Sequence, residues 1–225
     1  MAHLLRHEPW GVVDLDIARA HVFVREDWHY IWSAPSGVPK WTPDEQHAFH
    51  QAVDHAVWKL WCLRARIFVR SSSYQKYGRT DEIKWKLVGK PLTLSFDVRA
   101  VSGNGHWNVQ VGKLDPRLEV KPHAQVLNED QLIKFTSNDL LVDKAKRFLG
   151  DRPHPGFSIP AHEFGHTMGP PGWRGDEYIP ESPYFKDEGS IMNVGTKLRA
   201  RHLVFICNAL RALIPGCSFT PMVPR

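Results

Sequence analysis

The longest regular pattern in the chain is helical. After Thr42-Pro43-Asp44-Glu45, apolar residues recur at 49, 53, 56, 57, 60 and 61, three or four apart, and so form one stripe along a helix. Thr42 is placed to cap it, Pro43 suits the first helical position, and Glu45 completes a capping box. His47, His50, Asp54 and His55 fall largely off the stripe. His50 and Asp54 have the one-turn spacing of a metal pair, but a solvated polar face is the plainer reading. From Arg64 to Lys134 the period drops to two and β-formers dominate. Strands are expected at Ala65 to Val69, Ile83 to Val88, Leu92 to Val101, Trp107 to Leu114 and around Gln125 to Val126. Ser102-Gly103-Asn104-Gly105 reads as the hairpin turn between two of them.

The flanks are less regular. Residues 1–38 carry short β-like runs (Gly11 to Asp14, His21 to Arg25) among Trp10, Trp28, Tyr30 and Trp32, and suggest an arm or edge strands packed on the main unit. Residues 138 to 149 suggest a short helix ending at Gly150, followed by a Pro-rich loop from Asp151 to Pro160. A helix then runs to Gly169, where Pro170-Pro171 stops it, and a last helix is expected over Thr196 to Leu213. This order implies an α+β domain over residues 39–225 with a mostly antiparallel sheet of four or five strands.

Composition narrows the function classes. The 225 residues are 42% hydrophobic and 24% charged, as expected of one globular domain. No apolar run approaches the roughly 18 residues a membrane helix needs, and the first residues lack the apolar core of a cleaved signal. The formal charge of +5 would suit an anionic partner, but Lys and Arg are scattered beside acids and no nucleic-acid motif appears. Cys62, Cys207 and Cys217 have neither disulfide-framework nor metal-knuckle spacing and read as buried thiols.

The chemistry concentrates in His162-Glu163-Phe164-Gly165-His166. On a helix, residues four apart share a face, so His162 and His166 can offer two imidazoles to one metal ion. Glu163 lies about 100° round the helix, near the metal without ligating it. Zn²⁺ is the expected ion, since three protein ligands leave it an open position for water. Glu163 then serves as general base on that water and returns the proton to the leaving amine. Phe164 and Met168, one turn apart, would anchor the helix to the core, and Gly165 would let a neighbour approach closely.

The run HEFGHTMG, followed by GDEY, SIMNVG and Leu198-Arg199-Ala200-Arg201-His202-Leu203, resembles the metzincin-like zinc peptidases. That wider pattern is similar to zinc metallopeptidase toxin domains delivered by bacterial type VI secretion, including those at the C-terminus of VgrG spike proteins. The specific part covers about residues 160–205. The resemblance implies a zincin-like fold and makes Met192 the methionine of a turn beneath the zinc ligands. The usual third-ligand position, ten residues after the first histidine, is occupied here by Gly172, which has no ligating side chain. The relatives' use of a glutamate points to Glu177 as the third ligand. Asp176 is next, and His202, Glu181, Asp187 and Glu188 remain open. Tyr178, Tyr184 and His202 are candidate donors to the developing oxyanion.

The implied function is a zinc endopeptidase toxin, made in the cytoplasm, exported without a signal peptide and acting in the periplasm of a target cell. Protein or peptidoglycan peptides would be its substrates, with an immunity protein and a secretion spike as partners. A housekeeping cytoplasmic zinc protease and a non-catalytic, zinc-stabilised adaptor are the alternatives. Glu163 argues against the adaptor, because a structural zinc site has no use for it.

Overall fold

The computed structural model describes residues 3–71, 83, 86–117, 124–140, 157–169 and 175–224. The chain opens with β1 (His3–Glu8), β2 (Gly11–Asp16) and β3 (His21–Ser33), each antiparallel to the next. Along β3, Val22, Val24, Glu26 and Trp28 are buried while their neighbours are half-exposed, the alternation of a strand with one covered face. Residues 1–38 were expected to form an arm or edge strands, but β3 is flanked on both sides.

Helix α1 (Pro43–Trp61) follows with the capping box intact: Glu45 N–H donates to Thr42 Oγ1 at 3.2 Å, and Thr42 N–H to Glu45 Oε2 at 2.8 Å. Its stripe of Phe49, Val53, Val57 and Trp61 is buried. The remaining strands are β4 (Arg66–Ser71), β5 (Pro91–Val101), β6 (Trp107–Gly112), β7 (Gln125–Leu127), β8 (Leu132–Thr136) and β9 (Cys217–Met222). Two further helices are α2 (Ile159–Thr167) and α3 (Val204–Leu213).

These strands form one nine-stranded mixed sheet in the order β7-β8-β6-β3-β5-β4-β9, with the β1–β2 hairpin joined to β3. The pairings β3–β5, β3–β6 and β6–β8 are parallel. This overturns the expected mostly antiparallel, zincin-like α+β sheet of four or five strands. The reason is local. Residues 102–106 do not turn a hairpin; they carry the chain across β3, so that β5 and β6 lie on its opposite sides and run with it. The crossing is tight, because a Cβ on Gly105 would sit 2.5 Å from Asp27 O. His106 secures it, donating from its backbone to Asp27 O at 2.7 Å and accepting Asp27 N–H on Nδ1 at 2.8 Å.

Other expectations shift too. Around Ile83 to Val88, expected as a strand, Ile83, Lys86 and Leu87 are helical, and the four-residue spacing of Ile83 and the buried Leu87 suits one helical face. The helix expected over 138–149 lies mostly outside the described residues; 137–140 form a turn. The last helix begins later than expected, as a 3-10 turn over Ala200–Leu203 leading into α3. Asp54 and His50 form neither a metal pair nor a solvated face. Asp54 accepts Val98 N–H at 3.2 Å, on β5 beyond its pairing with β4, and His50 Nδ1 meets Tyr30 Oη at 3.1 Å. None of the three cysteines is in a disulfide, and all are buried.

Candidate metal centre

The nine residues of α2 are all buried, and the helix has no side-chain cap at Ser158. So short a helix is stabilised by its surroundings rather than by propensity. Trp61 of α1 donates its indole N–H to Ala161 O at 2.9 Å, and Phe164 packs edge-on against Trp61 and Phe96 at centroid distances of 5.3 and 5.7 Å. At its far end Thr167 Oγ1 lies 2.8 Å from Glu26 Oε1 and 2.6 Å from Phe164 O. The helix thus has α1 and the sheet at its back.

His162 and His166 project together, their Nε2 atoms 3.1 Å apart. Asp176 Oδ1 completes a triangle, 3.1 Å from His166 Nε2 and 3.6 Å from His162 Nε2. Among the described residues these three form the only group of metal-ligand type with its donor atoms within 4.8 Å of one another. Tetrahedral zinc with bonds of about 2.0–2.1 Å separates its ligand atoms by about 3.3 Å, which is the size of this triangle. The tautomer fits as well. His162 Nδ1 lies 2.7 Å from Ile191 O, and a carbonyl can only accept, so Nδ1 carries the proton and Nε2 presents its lone pair to the triangle. Burial pushes the Asp176 carboxyl up, but the nearby His162 and His166 imidazoles outweigh it and hold it well below the usual carboxylate range. Anionic Asp176 with two imidazoles is a donor set that fits Zn²⁺.

Glu177, the ligand expected from the resemblance, lies outside this triangle. Arg201 grips its carboxylate with two bonds, Nε to Oε1 at 2.6 Å and Nη2 to Oε2 at 2.7 Å, and His202 Nε2 adds a contact at 3.1 Å. Burial raises the Glu177 carboxyl, but Arg201, His202 and Ser190 outweigh it and bring it down to about 2. Asp187 is bound by Arg199 and Arg201. Glu181 and Glu188 belong to no metal-spaced group among the described residues. Glu163 is buried on α2, one position beyond His162.

Met192 lies beneath the helix. A Cβ on Gly165 would fall 2.1 Å from Met192 Sδ and 3.1 Å from Trp61 Cζ2, so glycine makes room for the neighbour that its position anticipated. Of the candidate oxyanion donors, Tyr178 has its ring 6.2 Å from that of His162. Tyr184 instead lies against the Arg201 guanidinium at 4.0 Å, and His202 is buried against Glu177 and Ser190.

Two residues have roles that the sequence pattern did not reveal. Arg201 pairs with Glu177 across 24 positions, a contact without any local signature. Glu26 is fully buried, receives the Trp28 indole N–H at 2.9 Å and reaches Thr167. Burial raises its carboxyl to about 8. Its signal was available: it is an acid at an inward position between Val24 and Trp28. Set against known proteins, the chain matches no family model, no curated protein and no solved structure, so its function must be argued from the chemistry of this site.

Proposed function

We propose that the chain is a zinc-dependent peptidase in which His162, His166 and Asp176 hold the metal and Glu163 is the general base. The observation that carries this reading is the triangle of donor atoms, with sides of 3.1, 3.1 and 3.6 Å, which has the dimensions of a zinc site. When bound, the ion would supply a polarised water and a Lewis acid for the scissile carbonyl. His162 is oriented for its part by Ile191 O, and Asp176 offers a full negative charge. Glu163, about 100° round the helix from His162, takes the proton from the attacking water and delivers it to the leaving amine. Tyr178, beside His162, is the tyrosine best placed to donate to the developing oxyanion.

The protein purified without chelators should carry about one zinc per chain, and Asp176→Asn should lose most of it. Glu163→Gln should keep the metal while peptide hydrolysis falls by about 10²–10⁴-fold. A metal-free native preparation, or full activity in Glu163→Gln, would sink the proposal.

The run HEFGHTMG, GDEY and SIMNVG further supports a toxin delivered by type VI secretion, acting on protein or wall peptides in the periplasm. The same variant tests that role. Wild type directed to the periplasm should arrest growth where Glu163→Gln does not, and equal harmlessness of the two would remove the toxin reading.

A further inference from the structure

Resting on the metal-centre reading above, we propose that Arg201 is a positioning residue for the metal: its two-point grip on Glu177 aims the carboxylate of the preceding residue, Asp176, at His162 and His166.

Asp176 needs such a device. Its side chain is 27% exposed, so packing does not fix it as it fixes the buried histidines on α2. It also lies on an irregular segment, residues 175–177 belonging to no helix or strand. What fixes it is the next residue. Glu177 N–H donates to Met192 O at 2.9 Å, Glu177 O accepts from Asn193 Nδ2 at 3.3 Å, and both carboxylate oxygens are taken by Arg201. With residue 177 held at its amide, carbonyl and side chain, the peptide plane shared with Asp176 has little freedom left. A bidentate guanidinium–carboxylate pair is well suited to this, because its two parallel bonds set orientation as well as distance.

Arg201 is itself braced. Its Nη2 also donates to Asp187 Oδ2 at 2.7 Å, Tyr184 lies against its guanidinium, and Arg199 holds Asp187 by bonds of 2.8 and 2.6 Å. The clamp and the histidines meet on one turn. Ile191 O orients His162, while the next carbonyl, Met192 O, takes Glu177 N–H. Adjacent peptide groups thus set the relative position of the helix ligand and the loop ligand. Glu177 acts through this scaffold rather than by touching the metal, which explains an acid pair of which only one member enters the triangle.

The test uses Arg201→Lys, which keeps the charge but loses the fork, and the paired variant Glu177→Gln/Arg201→Gln, which removes both charges together. Neither leaves Glu177 as a buried charge without a partner. Zinc affinity is measured by competition with a chromophoric chelator, and coordination is read from the visible spectrum of the cobalt-substituted protein. Both variants should bind zinc about 10–100-fold more weakly than wild type, and their cobalt bands should lose intensity as Asp176 swings away. Affinities within about twofold of wild type and unchanged cobalt spectra would overturn the proposal, leaving the ion pair a purely structural one. If the wild type binds neither zinc nor cobalt, the metal reading falls and this proposal with it; the wild-type titration therefore separates the two failures.

Discussion

Glu26 shows how one side chain couples the sheet to the candidate metal helix. Thr167 has a single hydroxyl proton, yet its Oγ1 lies within hydrogen-bond reach of both Glu26 Oε1 and Phe164 O. Both contacts are satisfied at once if Glu26 is protonated, giving to Thr167 while Thr167 gives to Phe164 O and Trp28 gives to Glu26 Oε2. The raised carboxyl, at about 8 against a usual 4.5, agrees with that proton arrangement. Folding then retains a proton that the unfolded chain releases. The group's contribution is full below about pH 4.5 and is lost as pH rises through about 8. Glu26→Gln should cost about 1 kcal/mol at pH 5, since the amide leaves one N–H without a partner. The gap to wild type should close or reverse by pH 9. Urea unfolding at the two pH values measures it, and a gap independent of pH would show that Glu26 is not held as the acid.

At the scale of elements, the candidate site is the meeting of a short helix with a turn. Helix α2 turns one side to Trp61 and Phe96 and receives Met192 at Gly165. The turn spanning 190–193 supplies that methionine together with the carbonyls that hold His162 and Glu177. Gly165→Ala should therefore force the two apart and cost about 1–3 kcal/mol in thermal or urea unfolding. Combined with Met192→Ala, the total loss should be smaller than the sum of the two single losses, because the two changes share one contact. Simple additivity of the two would show that Met192 is not what the glycine accommodates.

Across the whole molecule, the candidate metal ligands come from two bodies of structure: α2, packed on α1 and the sheet, and the segment at residues 175–177, held through Arg201 of the 3-10 turn at Ala200–Leu203. A metal bound between them would cross-link the fold. Zinc at about 100 times its dissociation constant adds about 2.7 kcal/mol of stability, which for a chain of this size raises the melting temperature by roughly 5–10 °C. A chelator should reverse the rise in wild type and leave Asp176→Asn unmoved in scanning calorimetry; equal shifts in both would place the metal elsewhere.

What the sequence by itself determined is local. The capping box and stripe of α1, the side of a helix shared by His162 and His166, and the need for a small residue at 165 all follow from spacings within a turn or two. The strand periods are equally visible between Arg64 and Lys134, but alternation says which face is covered and nothing about which neighbour a strand takes. Only the tertiary structure decided that residues 102–106 cross β3 instead of turning back, making the centre of the sheet parallel. It also decided which of two adjacent acids joins the histidines. Asp176 and Glu177 are alike in charge and neighbours in sequence. The difference between them is Arg201, 24 positions from Glu177 and brought to it only by the folded chain.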